Sequence, residues 1–360
     1  MPRLTSDQAA AAGEELAERL TRRAILGARY DAGLARDVIS LLSELERDLV
    51  GQIADIDFTG VGNLSARRRR LTTLLDQTRK AIRAAYRRVR LLTERSLDEL
   101  FEIEAEATRA AMHGSLRSVG VRLGVSLPGE TYLAALAEET LVMGQPLSSF
   151  WGRQEAALFN AFRGQMELGL TAGEAIPELI RRVRGGTRNG ALVRGIMDTS
   201  RAHAAAMVRT SAASVGNGAR FATFESNLDV VEKYQHLSRL DGRTTEQCTL
   251  RAGKLWDAKT KAPIGHRVPF QVPPIHVNCR STLIVVVVGA DPPTNQNGEA
   301  WFNGLDTGEQ DAIFGRGRAQ LYRLGDLTLS QLFDQSGRPI RLGDLRRDQA
   351  NAGDRSVRRR

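Results

Sequence analysis

The sequence has few aromatic residues, few cysteines and few lysines. Aromatic residues make up 5% of the 360 residues, which favours an interior of leucine, alanine, valine and isoleucine, as in helical bundles. Two cysteines exclude a small secreted scaffold held together by many disulfides. Only five of the 51 basic residues are lysine, so the cations are nearly all arginine, the better bidentate partner of phosphate. A GC-rich genome that favours arginine codons is the alternative explanation.

Long apolar runs and a secretory signal are also missing. The first residues contain no apolar core of a signal peptide. The longest apolar run, residues 283–288, is far shorter than the roughly 20 residues that a transmembrane helix needs. Neither a GxxxxGK[ST] phosphate loop nor an HExxH motif occurs. We expect a soluble protein made in a reducing cytoplasm.

The first 220 residues are predicted to be almost entirely helical. Apolar residues recur at steps of three and four between Leu34 and Ile53, the pattern of an amphipathic helix. A second stripe predicts one long helix over about 65–118, paired with the first in a hairpin that resembles a coiled coil. Further helices are predicted over 130–143, 147–169 and 191–219.

The character of the sequence changes near Phe221. Residues 230–240 have the composition of a strand, and residues 283–288 are a β-branched run typical of a buried strand. The predicted fold class is therefore mainly α with a small α+β module. Four consecutive parts are predicted: an Arg-rich elongated helical arm over 1–120, a helical domain over 121–220, the α+β module over 221–290, and a C-terminal helical or irregular segment with a basic tail over 291–360.

The most basic stretch of the chain lies in the long second helix, between residues 67 and 95. This stretch contains eleven basic and two acidic residues. Its charge of +9 equals the net charge of the whole chain. A helix with this charge density would bind polyphosphate without sequence preference. A solvated helix face, or an arm docked on an acidic partner, is the alternative. The candidate DNA-binding residues are Arg67, Arg68, Arg69, Arg70, Arg79, Lys80, Arg83, Arg87, Arg88 and Arg90.

Other charged segments carry weaker signals. A second basic cluster surrounds a glycine-rich turn at 184–190, where backbone amides could approach an anion. The arginine-rich C-terminal tail is predicted to be disordered. The acidic stretch over 98–106 could form ion pairs with a second copy, so self-association is one interpretation. The second cluster consists of Arg181, Arg182, Arg184, Arg188, Arg194 and Arg201.

Cys248, His276 and Cys279 form the most specific constellation. Both cysteines lie within 32 residues of one another, and thiolate and imidazole are ligands that zinc prefers. One interpretation is a zinc site that joins two loops. A second is a disulfide formed after cell lysis, a third is two unlinked buried thiols with the imidazole bonded to a backbone carbonyl, and a fourth is a catalytic Cys–His dyad. Candidates for a fourth zinc ligand are His236, Asp241 and His266.

The segment DGRTTEQC (241–248) is followed by PPIHVNCRSTL (273–283). These segments resemble the signature of tailed-phage minor head proteins of the phage Mu F type, also described as head morphogenesis proteins, which has the form D-x-R-T-[TC]-x-x-C and then P-P-x-H-P-N-C-R-[SC]. Val277 stands where that family commonly has Pro. Thr245 stands where some members have a further Cys, so a four-ligand zinc site lacks one ligand here. The matching residues are Asp241, Arg243, Thr244, Thr245, Cys248, His276, Asn278, Cys279, Arg280 and Ser281.

The resemblance extends on both sides of these loops, over about residues 170–345. Upstream, VRTS (208–211) is similar to an Ala-Arg-Thr-Glu box, with Ser211 in place of Glu, and Tyr234 follows in the strand. Downstream, residues 301–325 are similar to the end of the family, where a Trp is followed by a G-x-x-R-x-x-L step and a final Gly.

The resemblance implies a non-enzymatic virion protein that acts in head assembly or genome delivery. It would be present in a few copies inside the capsid near the portal vertex, and in the host cytoplasm during assembly. Its partners would be the portal protein, the major capsid or scaffolding protein, and double-stranded DNA without sequence preference, but not a membrane. The signature residues would then be structural: Asp241 and Arg243 would pair at the turn, and Arg280 would bind loop carbonyls. No catalytic residue and no certain cofactor are assigned.

Two other functions are consistent with the residues. A metal-assisted nuclease or processing hydrolase at the Cys/His loops would need carboxylates that position water, for which Asp241 and Glu246 are candidates. A host DNA-compacting helical protein would bind free DNA through its basic helix and would have no affinity for a portal.

Overall fold

The computed structural model describes residues 4–56, 64–122, 124–129, 141–142, 144–188, 190–293 and 297–348. Helices dominate these residues and the strands are short, which confirms the predicted fold class. The helices are α1 Ser6–Ala54, α2 Leu64–Ser118, α3 Leu147–Thr171, α4 Ile176–Arg184, α5 Ile196–Glu225, α6 Glu246–Arg251, α7 Gly298–Asn303, α8 Thr307–Phe314 and α9 Arg316–Arg323, with a 3-10 turn at Leu329–Leu332.

The strands form two hairpins and one four-stranded antiparallel sheet among the described residues. The strands of this sheet lie in the order 263–264, 255–257, 231–237 and 282–287, and Tyr234 pairs with Val285. The strands are β1 Leu141–Val142, β2 Gln145–Pro146, β3 Gly185–Arg188, β4 Ala191–Arg194, β5 Val231–Leu237, β6 Leu255–Asp257, β7 Pro263–Ile264 and β8 Thr282–Val287.

The chain divides into two compact units. Unit 1 consists of Met1–Ile25, Glu104–Leu133 and Asn217–Arg360, and unit 2 consists of Leu26–Ile103 and Ala134–Gly216. The four consecutive parts predicted from the sequence divide the chain in a different way, and that division stays a prediction.

Unit 2 is built from helices whose apolar stripes face one another. The stripe predicted for the first helix is buried in α1, with Leu45 and Leu49 at its centre. In α2 the buried Tyr86 packs against Trp151 of α3 with a ring separation of 6.4 Å, and its hydroxyl is 2.9 Å from the Ser200 hydroxyl of α5. Burial of such stripes is the main stabilising term for helices of this kind.

Unit 1 surrounds the four-stranded sheet. Every side chain of β8 is buried, as its β-branched composition predicts, and Leu16 of α1 and Met112 of α2 belong to the same apolar cluster. A second cluster joins Trp256 of β6 to Phe302 and other residues of the C-terminal helices. The predicted buried strand is therefore confirmed, although its neighbour β5 is antiparallel to it.

Two predicted helices differ from the structure. The helix predicted over 191–219 begins at Ile196, because residues 191–194 pair with residues 185–188 in a hairpin. Gly185 there has a φ of 84°, which favours glycine, and a Cβ atom would lie 2.7 Å from the Asp198 carboxylate. The helix predicted over 130–143 falls largely outside the described residues, and Leu141–Val142 form a strand.

Candidate functional site

The signature turn at 241–245 is closed by its own side chains. The Thr244 hydroxyl accepts the backbone N–H of Asp241 at 2.8 Å and donates to the Arg239 carbonyl at 2.7 Å. Thr245 is the N-cap of α6, and its hydroxyl accepts the backbone N–H of Cys248 at 3.5 Å. These contacts hold Cys248 in the first turn of α6 with its side chain buried.

Asp241 joins this turn to the segment after the Pro-Pro step. Arg280 donates to both of its carboxylate oxygens, at 2.7 and 2.5 Å, in the bidentate geometry that makes such pairs strong. The Arg280 guanidinium holds the pKa of Asp241 well below its usual range. The Arg243 contact is made by its backbone N–H, at 3.0 Å. Arg280 therefore binds this carboxylate rather than the loop carbonyls that we expected.

The two thiols and the imidazole meet beneath this ion pair. The Sγ atoms of Cys248 and Cys279 are 3.8 Å apart, and Cys248 Sγ is 3.1 Å from Nε2 of His276. Both cysteines are 4% exposed and both are free thiols. A disulfide needs a sulfur separation of about 2.05 Å, so the two sulfurs are not bonded.

His276 is oriented by the backbone of its own loop. Its Nδ1 lies 2.9 Å from the Val277 carbonyl, which can only accept, so Nδ1 carries the proton. In the neutral ring Nε2 is then unprotonated and accepts from the Thr245 hydroxyl at 2.8 Å. Asn278 has a φ of 59°, a left-handed conformation that asparagine tolerates better than most residues. This turn brings the backbone N–H of Cys279 to the His276 carbonyl at 3.1 Å.

The two thiols differ in acidity. The contact with the Cys248 thiol, and after it the nearby His276 imidazole, holds the pKa of Cys279 well below its usual value. The same contact with Cys279, together with burial, raises the pKa of Cys248. The Ser281 hydroxyl also donates to Cys248 Sγ at 3.2 Å.

The three candidates for a fourth zinc ligand lie in different surroundings. Asp241 is bound by Arg280. His266 uses both ring nitrogens, with the Leu255 carbonyl at 2.8 Å and the Val268 N–H at 3.1 Å. His236 is fully buried in β5, where burial lowers its pKa to about 3, and it is outside the group of donor atoms formed by the two thiols and His276. None of the three joins that group.

Sequence reasoning missed the buried Arg251 beside the thiols and considered the buried His236 only as a zinc ligand. Arg251, at the end of α6, is 0% exposed and donates to the Pro269 carbonyl at 2.7 Å. Burial lowers the pKa of the Arg251 guanidinium, and the nearby thiols offset only part of that shift. Neither ring nitrogen of His236 has a hydrogen-bond partner among the described residues. No sequence signal marked Arg251.

The basic residues of α2 lie mainly on its surface in unit 2. Eight of the ten candidate DNA-binding residues are exposed, and Arg70 and Arg90 are half-buried. Some of the ten bind the protein itself. Arg88 lies 2.8 Å from Glu44, Arg90 lies 3.5 Å from Glu155, and Arg79 stacks over Phe159. Arg83 also approaches Glu155, at 3.8 Å.

The second basic cluster is largely paired within unit 2. Arg182 binds Glu174 through two contacts of 2.6 and 2.7 Å. Glu46 of α1 receives both Arg184, at 3.0 Å, and Arg201. The side chain of Arg188 and the C-terminal arginines lie outside the description. The glycine-rich turn is thus a hairpin whose nearby arginines serve carboxylates of the fold.

The signature loops form a closed network of ion pairs and hydrogen bonds rather than an open reaction centre. The two carboxylates considered for catalysis each bind a guanidinium: Asp241 binds Arg280, and Glu246 lies 2.8 Å from Arg318. Hydrogen bonds and buried thiols connect α6, β8 and the loop between them. This geometry defines a small structural module of the α+β class.

Comparison with known proteins identifies this module. Residues 160–284 match the family model described as Phage Mu protein F like protein. The resemblance drawn from the loop motifs is thereby confirmed: about a third of the chain is similar to this family. The match includes the Asp241–Arg280 pair and all three Cys/His residues, whereas the similarity over 301–325 stays a prediction.

Two further comparisons gave no match, either to a curated protein or to a solved structure. Among the described helices, none is both long enough and apolar enough to cross a membrane.

Proposed function

We propose that the protein is a non-enzymatic minor head protein of a tailed phage, which binds the portal vertex inside the capsid and contacts packaged DNA. The family match carries this proposal, since it links residues 160–284 to phage head morphogenesis. In this role the signature loops maintain the fold of unit 1, and other surfaces make the contacts with the portal and DNA. The protein acts during head assembly or genome delivery.

The state of the carboxylates supports a structural role over the hydrolase alternative. A carboxylate that activates water must be free to accept a proton. Asp241 is held ionised in a bidentate pair, and Glu246 faces Arg318. The thiol–imidazole contact between Cys248 and His276 is likewise part of a buried network with Ser281 and Thr245.

A row of cations on α2 supports the DNA contact. Arg69, Lys80 and Arg87 are exposed, and none has an ion-pair partner within the described part of the chain. At 100° per residue they point within 20° of one another, and the row is about 27 Å long. One carboxylate, Asp76, lies in the same row. Such a row would contact phosphates along one side of a duplex, without sequence preference.

Co-purification with the portal protein tests the role in the head. The tagged full-length protein is expressed with the portal protein of its phage and isolated at low salt and at about 0.5 M salt, where exposed charge pairs are largely screened. We expect the portal to remain bound at high salt. Loss of the portal, with nucleic acid co-eluting only at low salt, would instead support the DNA-compacting alternative.

A pair of charge-matched variants tests the DNA surface. In the first, Arg69, Lys80 and Arg87 are each replaced by Ala. In the control, three exposed arginines that each have a carboxylate partner are replaced by Ala: Arg22, Arg95 and Arg163.

Both variants lose three positive charges, so only the position of the charge differs. At about 0.1 M salt a phosphate contact is worth roughly eightfold in affinity, so the first variant is expected to bind duplex DNA about 500-fold more weakly. The control should retain most of its affinity. Equal losses in both variants would show that net charge, and not this face, determines DNA binding.

A further inference from the structure

The donor atoms of Cys248, His276 and Cys279 converge on one point in unit 1. Among the described residues they form the one group of three or more Cys, His, Asp or Glu side chains whose donor atoms all lie within 4.8 Å of one another. The two sulfurs are 3.8 Å apart. Two thiolates on a tetrahedral zinc have about this spacing, because each Zn–S bond is about 2.3 Å.

The imidazole has the orientation that a zinc ligand requires. Its Nδ1–H donates to the Val277 carbonyl, so Nε2, which is 3.1 Å from Cys248 Sγ, carries the lone pair that a metal ion would bind. Metal-bound histidines generally donate their other N–H in this way, which fixes the tautomer and the ring plane. The Ser281 hydroxyl, 3.2 Å from Cys248 Sγ, supplies a comparable contact to a sulfur.

We propose that Cys248, His276 and Cys279 bind one zinc ion, with a water molecule as the fourth ligand. Asp241 and His266 are occupied by other partners, and the Thr245 hydroxyl lies 2.8 Å from Nε2, where it can hydrogen-bond that water. The ion connects α6 to the loop that precedes β8. The proposal depends neither on DNA binding nor on the portal.

The first test is the metal content of the full-length protein, purified in the presence of a mild reductant from cells grown with zinc. We expect about one zinc per chain by elemental analysis, as three protein ligands plus water require. Cobalt exchanged into the site should give the strong near-ultraviolet absorption of thiolate–cobalt charge transfer. Both thiols should react with a thiol reagent only after a chelator has removed the metal.

Variants separate the site from adventitious binding. Cys279→Ser and His276→Ala should each lose the zinc, whereas His203→Ala, which removes an exposed histidine of α5, should retain one ion. If the site variants do not fold, the cobalt spectrum and the thiol titration of the wild-type protein decide.

Three results would overturn the proposal. The first is wild-type protein with little zinc and no cobalt–thiolate absorption. The second is a Cys248–Cys279 disulfide in protein kept under reductant. The third is a soluble Cys279→Ser variant that still binds one zinc.

Discussion

The arginines of α2 and those around the β3–β4 hairpin have different surroundings within unit 2. In α2, Arg69, Lys80 and Arg87 extend from an exposed helix face without an acidic partner among the described residues. Near the hairpin, Arg182 is paired with Glu174, and Arg201 is paired with Glu46, with side chains 26% and 20% exposed. Two stretches of similar composition thus contribute differently: one presents charge to solvent and the other uses charge to join helices.

Because of this difference, substitutions in the two regions should affect different properties of the protein. Removing one partner of a largely buried ion pair leaves an unpaired charge with little water around it, which costs much more than removing an exposed charge. Substitutions near the hairpin should therefore change the free energy of unfolding. Substitutions in the α2 row should change DNA affinity and leave stability almost unchanged.

The largest expected effect follows the replacement of Glu46 by Ala. Its side chain is 12% exposed and receives both Arg184 and Arg201, so Arg184 loses its carboxylate partner and Arg201 keeps only Asp198. We expect a loss of about 2 kcal/mol in the free energy of unfolding, measured by urea denaturation. Glu44→Ala, which removes an exposed carboxylate two residues earlier, is the control. A loss below about 1 kcal/mol for Glu46→Ala would contradict the structural role of this cluster.

Replacement of Glu174 by Ala should have a smaller effect. Arg182 would lose its bidentate partner, but its side chain is 26% exposed and can be hydrated in part. The expected loss is about 1–2 kcal/mol. Glu167→Ala, which breaks the exposed contact with Arg163 at 4.0 Å, should change the unfolding midpoint far less. Equal losses of stability in the two variants would show that the burial of the Arg182–Glu174 pair does not increase its contribution to stability.

The Asp31 carboxyl of unit 2 makes the stability of the protein depend on pH. Burial raises the pKa of this α1 carboxyl to about 6, although Arg209 opposes the shift. The folded state therefore binds the proton more tightly than the unfolded state, and the native protein loses stability as the pH rises from about 4 to about 6. Asp31→Asn should raise stability by about 1 kcal/mol at pH 8, after allowance for solvent screening, and much less at pH 4. A gain that is equal at both pH values would contradict this ionisation.

The smallest stability effects are expected for the α2 row. Arg69→Ala, Lys80→Ala and Arg87→Ala should each change the free energy of unfolding by less than about 0.5 kcal/mol, because the side chains are exposed. Their effect should instead be seen in titrations with duplex DNA. A loss of stability as large as that of Glu174→Ala would show that the row packs against the protein.

Local patterns in the sequence predicted the long helices and the buried strand. The helix predicted over about 65–118 is α2, Leu64–Ser118, because its apolar stripe continues without interruption. β8 followed from its β-branched residues, which fit a buried pleated surface. The 185–194 hairpin was missed in part: residues 191–194 have helical composition, but the glycines and pairing with 185–188 override that preference.

Contacts between residues far apart in the chain could not be predicted from the sequence. Nothing in the surroundings of Glu46 indicates that it binds arginines 138 and 155 positions later. The Asp241–Arg280 pair, 39 positions apart, was assigned to different partners although both residues belong to the signature. The motif did bring together Cys248, His276 and Cys279, since family signatures preserve residues that meet in the fold. It gave no information on the neighbouring Arg251.

Unit 1 is assembled from segments of the chain that leave the ribosome at different times. All of unit 2 has been synthesised by Gly216, but the apolar faces of Met1–Ile25 and Glu104–Leu133 pack against β8, which ends at Val287. At about 5–20 residues per second, the second of these segments waits roughly ten to thirty seconds for its partner strand. Leu16 and Met112 therefore emerge long before the sheet that buries them. During that interval the nascent chain depends on chaperones, or on its own helices, to keep these surfaces from aggregating.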